Sequence, residues 1–270
     1  MIAKILKRIK SIVRNAIRNI KDTCKIFIAA LMSFHNRKLD KKYCNKKFDN
    51  VKIVYLDLGL HKEGKQLLLV NDWFKEKKNY VGYGFEANPV HFEMVQKSFS
   101  SSDVYLFNLA LVGPDYTKPI VPLYVDVLGD GKGDTIYKQR SEKRGYKLVK
   151  VKAKHLSDIF YENNIDFKKD IIFLRMNIEG SEVPVLEDLI EAGIINYIDG
   201  FYGKWNDAYK IDKNLGKKLD EIRKQYNISN VSFNDGDIEV GIIHRTLRLL
   251  IVKNHMLITT KRAEKIISSI

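Results

Sequence analysis

From residue 51 onward, short apolar runs rich in β-branched residues alternate with stretches whose apolar residues recur at helical spacing. The apolar runs predict strands at 52–57, 80–86, 103–109, 170–177, 196–202 and 247–252. The helical stretches predict helices at about 64–77, 89–99, 155–163, 181–192 and 212–227. Strands that alternate with helices predict an α/β fold, in which a mostly parallel twisted sheet carries helices on both faces.

Residues 112–150 interrupt this alternation. They contain prolines at 114, 119 and 122 and glycines at 129, 131 and 133, which predicts an irregular excursion with short strand-like pieces. Loops of this length are commonly functional, so we expect a lid beside the substrate site. Near the C-terminus, the pattern predicts an antiparallel pair around 231–252 and a basic helix at 260–269.

The first 34 residues have a different pattern. Apolar residues recur at helical spacing from Ile2 to Ile20, and seven lysines and arginines fill the other face. A cationic amphipathic helix of this kind binds the interface of an anionic membrane, docks on its own core or a partner subunit, or contacts nucleic acid. The apolar run at 26–34 is shorter than the roughly 18 residues that a bilayer-spanning helix needs.

Charge separates the two regions. Residues 1–50 hold 14 lysines and arginines against three aspartates, a net charge of +11, which leaves +3 of the chain's +14 to residues 51–270. The nearly neutral core argues against nucleic-acid binding by the core itself. We therefore divide the chain into a basic helix with a charged linker, 1–49, and one α/β domain, 50–270. Cys24 and Cys44 form no metal or disulfide pattern, which favours a reducing compartment such as the cytoplasm. The basic amphipathic pattern of residues 2–34 adds the expectation of peripheral contact with the inner membrane face.

Acidic residues follow three predicted strands in succession. Asp57 ends the first, Glu86 the second, and Glu179 follows the strand at 170–177. The carboxyl ends of parallel strands are where α/β sheets bind ligands, and an acid after the second strand accepts hydrogen bonds from ribose hydroxyls in dinucleotide-binding folds. Taken alone, Glu86 is equally explained as an acid at a helix N-terminus. Together the acids predict a nucleotide-type cofactor site with a reaction site beside it.

Five short blocks carry a resemblance to a known family. They are Asp57-Leu-Gly59, Phe85-Glu-Ala-Asn-Pro89, Asn108-Leu-Ala-Leu111, Leu156-Ser-Asp158 and Arg175-Met-Asn-Ile-Glu-Gly-Ser-Glu182. On these blocks, residues 51–205 resemble the FkbM-type methyltransferases, which depend on S-adenosylmethionine. The resemblance implies the Rossmann-like class I methyltransferase fold.

The same resemblance assigns roles. It implies that Asp57, Gly59 and the loop with His61 and Gly64 hold the methionine part of S-adenosylmethionine, that Glu86 binds its ribose, and that Asn108 to Ala110 lie near its adenine. The methyl-transfer site is implied at 175–182, with Glu179 as first choice for the catalytic base, Glu182 as second, and Asn177 beside them. The alternative for both acids is to cap the helix that follows.

The chain departs from the family pattern at two points. Its first loop places Gly64 one residue late, and Arg175 and Asn177 stand where the family usually has lysine and aspartate. An amide is no base, so any proton transfer falls to Glu179 or Glu182. The histidines share no ligand spacing, and we predict no metal site.

The resulting prediction is a methyltransferase that modifies the hydroxyl of a sugar or glycan. A ring of the acceptor would stack on Tyr202 or Trp205, or these residues belong to ordinary packing. The alternatives are N- or O-methylation of a small metabolite, and a non-catalytic, membrane-associated binding protein on a degenerate methyltransferase fold.

Overall fold

The computed structural model describes residues 52–74, 79–99, 103–131, 133–141, 145–228, 233, 252–253, 255–256 and 259. The predicted N-terminal helix, its linker and the basic helix at 260–269 lie outside the described residues, as does most of the predicted pair at 231–252. The division of the chain near residue 49 stays a prediction. No helix within the described ranges is long and apolar enough to cross a membrane.

The strands and helices follow one another along the chain largely as predicted. The strands are β1 Ile53–Leu58, β2 Tyr80–Phe85, β3 Val104–Phe107, β4 Ala110–Leu111, β5 Ile120–Asp126, β6 Tyr146–Lys154, β7 Ile171–Met176 and β8 Gly200–Gly203. The helices are α1 Lys65–Phe74, α2 Pro89–Ser98, α3 Lys138–Ser141, α4 Leu156–Glu162, α5 Glu182–Glu191, α6 Asp207–Ile211 and α7 Lys213–Gln225. A turn of 3₁₀-helix at Ile195–Tyr197 precedes β8.

Five of the strands form one parallel sheet in the order β3-β2-β1-β7-β8. The chain moves outward from β1 through β2 to β3 and then returns to the other side of β1 with β7 and β8. Such a reversal opens a crevice at the carboxyl ends of the two central strands, where open α/β sheets bind ligands. The mixed α/β fold with a mostly parallel, Rossmann-like sheet is therefore confirmed.

Apolar side chains cover both faces of this sheet. Val54, Leu56 and Leu58 point to one face and join the core with residues of α4, α5 and α7. Ile53 and Tyr55 point to the other face and pack with residues of α1, with Phe233 and with Met256 among others. Because successive side chains of a strand alternate between faces, strands buried on both sides become continuous apolar runs. This explains why these strands can be predicted from the sequence.

The irregular excursion predicted at 112–150 contains more regular structure than expected. β5 and β6 pair antiparallel over seven residues, and β6 also pairs with β4 in a small second sheet. Val149, Val151 and Ala153 alternate with lysines along β6 and pack in the core of this sheet. That period-2 pattern was available in the sequence as a strand signal.

Two predicted strands have different bounds. The strand expected at 196–202 begins only at Gly200, because residues 195–197 form the 3₁₀ turn. Of the strand expected at 247–252, only Val252 is described, and it is helical together with Lys253. Val252 is buried in the same core cluster as Phe233, which explains why this residue of the run at 247–252 is apolar.

Candidate functional site

Four parallel strands deliver one residue each to a common cleft. β1, β2, β7 and β8 end level with one another, with Leu58 opposite both Phe85 and Met176, and Met176 opposite Gly203. The residues that come next, Gly59, Glu86, Asn177 and Lys204, all line the cleft, whose interior volume is about 260 Å³. Apolar side chains from the strand ends and the small sheet form much of its wall, among them Phe85, Leu109, Leu111 and Leu123.

Gly59 allows two loops to approach closely at the centre of the cleft. Its φ is +90°, and a Cβ at this position would lie 2.2 Å from the carbonyl oxygen of Asn177. The backbone N–H of Asn177 donates to the carbonyl of Leu58 at 2.9 Å, which extends the pairing of β1 and β7 past the strand ends. Only glycine fits this position, because any side chain would separate the two loops.

Glu86 is held as an acceptor at the rim of β2. Its Oε2 accepts the backbone N–H of His61 at 2.7 Å, and its Oε1 accepts that of Asn88 at 2.8 Å. Only 7% of the residue is exposed, and burial raises the pKa of Glu86 to about 7. Each oxygen has a further lone pair, so the carboxylate is oriented and still able to accept hydrogen bonds from a ligand.

The connection between β5 and β6, of which residues 127–131, 133–141 and 145 are described, lines this part of the cleft through Gly131, Asp134, Thr135 and Ile136. Asp134 on this loop accepts a hydrogen bond from Asn88 Nδ2 at 2.7 Å, and burial raises the pKa of Asp134 to about 6. Two further contacts secure the loop: His61 Nε2 lies 2.9 Å from the carbonyl oxygen of Asp130, and Lys62 pairs with the carboxylate of Asp130. The loop thus supplies part of the cleft wall, and its role as a lid stays a prediction.

Glu179 adopts a backbone conformation that its neighbours impose. Its φ is +52°, an uncommon value for a residue with a side chain. The carboxylate of Glu182 accepts the N–H groups of Ile178 and Gly180 at 3.0 and 2.8 Å, and Thr135 Oγ1 donates to the carbonyl of Glu179 at 3.0 Å. Such strain is found where the surroundings fix a functional side chain. Glu179 lines the cleft, whereas Glu182 is fully buried beneath it.

Lys204 brings a positive charge to the same side of the cleft. Its Nζ lies 3.6 Å from Oε1 of Glu179 and 3.0 Å from Oδ2 of Asp207. The sequence pattern does not single out this lysine, because the predicted strand at 196–202 ends one residue before β8, which ends at Gly203. With the correct strand end, the rule that located Glu86 also locates Lys204.

Asp57 lies away from the cleft, in the interior of the sheet. Its Oδ1 accepts a hydrogen bond from Arg175 Nη1 at 2.6 Å, and both residues are buried. Arg175 also donates to the carbonyls of Gly59 and Phe233, at 3.0 and 2.8 Å. The arginine that departs from the family pattern is therefore the partner of the first predicted cofactor residue. Asp57 is part of a buried ion pair that supports the loop at Gly59.

The remaining predicted cofactor residues divide between lining and support. His61 and Ala110 line the cleft with Gly59 and Glu86. Gly64 packs against Phe99 instead, and Asn108 Nδ2 donates to the carbonyls of Glu86 and Ala87 at 2.9 and 3.2 Å, which fixes the β2 end. Asn177 lines the cleft, and its Oδ1 is buried without a hydrogen-bond partner among the described residues.

Tyr202 and Trp205 are unsuited to stacking on a sugar. Tyr202 is fully buried, and its hydroxyl lies 2.7 Å from Nδ1 of His255. Trp205 is almost fully buried, with the Arg223 guanidinium 5.1 Å from its ring centre. Ordinary packing, the alternative reading of these aromatics, is correct. Within the described ranges, no group of three His, Cys, Asp or Glu side chains is arranged to hold a metal ion.

Comparison with known proteins identifies the family. No curated protein and no solved structure matches the chain. The sequence model of the methyltransferase FkbM domain matches residues 57–231, about two thirds of the chain, and covers every side chain of the cleft described above. The family resemblance of the five sequence blocks is confirmed, and the chain belongs to the FkbM family of methyltransferases.

Proposed function

We propose that this methyltransferase uses S-adenosylmethionine and methylates a hydroxyl of a sugar or glycan. The observation that carries the proposal is Glu86, a carboxylate oriented by two backbone N–H groups at the cleft rim beside the central strand of a Rossmann-like sheet. This is the position from which an acid accepts hydrogen bonds from the two hydroxyls of a ribose.

The other residues of the cleft are chemically suited to the same cofactor. Leu109 and Leu111 provide an apolar wall for a flat base, next to Glu86 along the sheet edge. Gly59 leaves room for a ligand against the backbone, and Asn177 Oδ1 is an acceptor for an ammonium group. The carboxylates of Glu86, Asp134 and Glu179 give the cleft an acidic lining that favours a cationic ligand.

When bound, S-adenosylmethionine supplies an electrophilic methyl group, so the protein has to position an acceptor oxygen and remove its proton. Glu179 is the base in this proposal, because it lines the cleft in a fixed conformation. Lys204 Nζ lies 3.6 Å from Oε1 of Glu179 and offers a positive charge that orients this carboxylate. Glu182 is the positioning residue, because its carboxylate already accepts two backbone N–H groups beneath the cleft.

A hydroxyl-rich acceptor suits the polar side of the cleft. Thr135, Ser181, Glu179 and Lys204 together offer donors and acceptors at short range, as recognition of several hydroxyl groups requires. The family resemblance also favours sugar oxygens as acceptors. Methylation of a small metabolite and a purely binding role are the competing functions, and Asn177 in place of the family's aspartate is the residue that favours the latter.

Calorimetric titration of the full chain with S-adenosylmethionine tests the cofactor. We expect saturable binding that Glu86→Ala weakens by about 100-fold, since two hydrogen bonds to a charged group are lost. Glu93→Ala, an exposed acid on α2, is the matched control and should bind as the wild type does. Equal binding by the Glu86 variant would refute the ribose assignment, and no binding by the wild type would favour a degenerate fold.

A methyl-donor consumption assay over a panel of glycans, amines and small metabolites tests the acceptor. We expect turnover with glycans that Glu179→Gln lowers by two to four orders of magnitude, while donor affinity is kept. Turnover confined to amines would replace the sugar assignment. Unchanged turnover in the variant would remove Glu179 as the base.

For location, we propose that the basic segment holds the enzyme at the inner face of an anionic membrane. Each basic residue near such a surface contributes about 1 kcal/mol, so the segment would be a substantial anchor. Deletion of residues 1–34 should abolish sedimentation with anionic liposomes, and unaltered sedimentation would reject this role.

A further inference from the structure

The hairpin formed by β5 and β6 exposes aliphatic and lysine side chains on the face turned away from the small core. On β5 and β6, register places Ile120 beside Lys152, Pro122 beside Lys150 and Tyr124 beside Leu148. The alternating residues Val121, Leu123, Val149 and Val151 point inward to the core of the small sheet. We call the outward residues Ile120, Leu148, Lys150 and Lys152, with Val127 and Leu128 at the tip, the outer hairpin face.

Large aliphatic side chains are exposed on this face. The exposed fraction is 81% for Leu128, 62% for Val127 and 56% for Leu148, and Ile120 is about half exposed. These residues are distributed along the hairpin from Ile120 to the tip, and exposed aliphatic side chains on one surface are a feature of interaction sites.

The charge of the outer hairpin face has one sign. Lys150 and Lys152 are exposed, and neither has an ion-pair partner among the described residues. Among the described residues of the hairpin tip, the exposed acid Asp130 is paired with Lys62 and so does not offset the two lysines. A partner of complementary charge is therefore anionic.

We infer that the outer hairpin face binds the surface of an anionic lipid bilayer. Aliphatic side chains flanked by lysines are the composition of interfacial membrane contacts, in which the apolar groups enter the headgroup boundary and the cations pair with lipid headgroups. Nucleic acid is a poorer fit, since single strands stack on aromatic rings and the most exposed residues here are aliphatic. This surface belongs to the described domain and is distant in sequence from the basic segment at residues 2–34, so it would be a membrane contact in addition to the one proposed for that segment.

The hairpin that would contact the membrane also forms part of the cleft wall. The inner face of the same hairpin contributes Leu123 to the cleft wall, and Thr135 pairs with Tyr124 through a β-bridge. The bilayer would thus lie against the cover of the cleft, close to the residues that contact Glu179. An enzyme held this way meets acceptors that are themselves attached to the membrane.

Vesicle partitioning of the full chain tests the inference. With phosphatidylcholine vesicles that contain about one third phosphatidylglycerol, Lys150→Gln with Lys152→Gln should weaken partitioning by about 25-fold, from about fivefold for each lysine. Leu128→Ser with Leu148→Ser should weaken it by about tenfold. Lys213→Gln with Lys217→Gln, the same charge change on α7, is the matched control and should change it by less than about twofold.

A spectroscopic readout separates contact from folding. Leu128→Trp should give a blue shift of emission when anionic vesicles are added, and the shift should be absent with pure phosphatidylcholine. Wild-type partitioning by both double variants, or no shift in the tryptophan variant, would overturn the inference. Lysine-dependent binding of RNA without a change in vesicle partitioning would overturn it in favour of nucleic acid. No methyl donor is present, so the result is independent of the proposed activity.

Discussion

Asp57 and Glu86 follow the same sequence pattern, an acid at the carboxyl end of a buried parallel strand, but they lie in opposite environments. Asp57 is the last residue but one of β1, and its side chain points to the sheet face where Arg175, its neighbour on β7, also points. Glu86 comes one residue after β2 and lies at the cleft rim. A shift of two positions relative to the strand end therefore separates an acid of the core from an acid of the site.

The environments also differ in how each charge is compensated. Asp57 has a guanidinium partner at 2.6 Å, so its negative charge is neutralised within the core. Among the described residues, Glu86 has backbone N–H groups as its hydrogen-bond partners and a second carboxylate, Asp134, close enough to oppose its ionisation. Removing a carboxylate that neutralises a buried cation destabilises the fold, because the cation is left without its counter-charge, whereas a carboxylate with lone pairs directed to a cleft is available to a ligand.

The largest effect is expected from breaking the core pair. Asp57→Ala leaves the Arg175 guanidinium buried without its counter-charge and should lower the free energy of unfolding by about 3–5 kcal/mol. Denaturant unfolding measures this loss, and Asp115→Ala, an exposed loop acid, is the control. The double variant Asp57→Ala with Arg175→Met should regain at least half of the loss. A single variant as stable as the wild type would contradict the structural role of Asp57.

The next effect concerns pH and the cleft acid. Burial raises the pKa of Glu86 from its ordinary value of about 4.5 to about 7, so between these values the folded state binds a proton that the unfolded state has released. The stability that Glu86 contributes is thus fully present below about pH 4.5 and is lost as pH rises through about 7, by on the order of 3 kcal/mol. Urea unfolding at several pH values should show this decline, and Glu86→Gln should flatten it. A variant with the wild-type slope would contradict the assignment.

A smaller effect is expected at Lys204. Lys204→Met removes the cation 3.6 Å from Glu179 and should lower methyl transfer about tenfold, because the Glu179 carboxylate loses a partner that orients it. Lys204→Arg keeps the positive charge and should restore most of the rate. Turnover and donor affinity, measured in parallel, check this. A fall in donor affinity as large as the fall in turnover would contradict a role at Glu179.

The smallest effect is expected from the contact between Thr135, in the connection between β5 and β6, and Glu179. Thr135→Val removes the hydrogen bond from Thr135 Oγ1 to the carbonyl of Glu179, which contributes about 1 kcal/mol. Turnover should fall about fivefold while donor affinity is unchanged, and Thr135→Ser should behave as the wild type. Unaltered turnover in the valine variant would show that the strained conformation of Glu179 is held by Glu182 alone.

The sequence located the strand ends well and the cleft residues only in part. Glu86, Gly59 and Glu179 were predicted because each follows a strand whose buried run is unmistakable. Lys204 was missed through an error of one residue in a strand end. Asp134 and Thr135 carry no local signal, because they reach the cleft through the pairing of β5 with β6, some 45 residues away from Glu179 along the chain.

By itself, the sequence determined the alternation of strands and helices, the parallel sheet and the edge at which the acids gather. These follow from hydrophobic periodicity and from the rule that parallel strands share their carboxyl ends. The environment of each acid follows from contacts that form only in the folded chain. Asp57 is a core residue because Arg175 lies beside it in register and pairs with it. Glu182 is a buried support because its carboxylate oxygens accept the backbone N–H groups of Ile178 and Gly180, on either side of Glu179. Whether a carboxylate stabilises a fold or serves a ligand depends on its partners, and partners distant in sequence meet only in the folded chain.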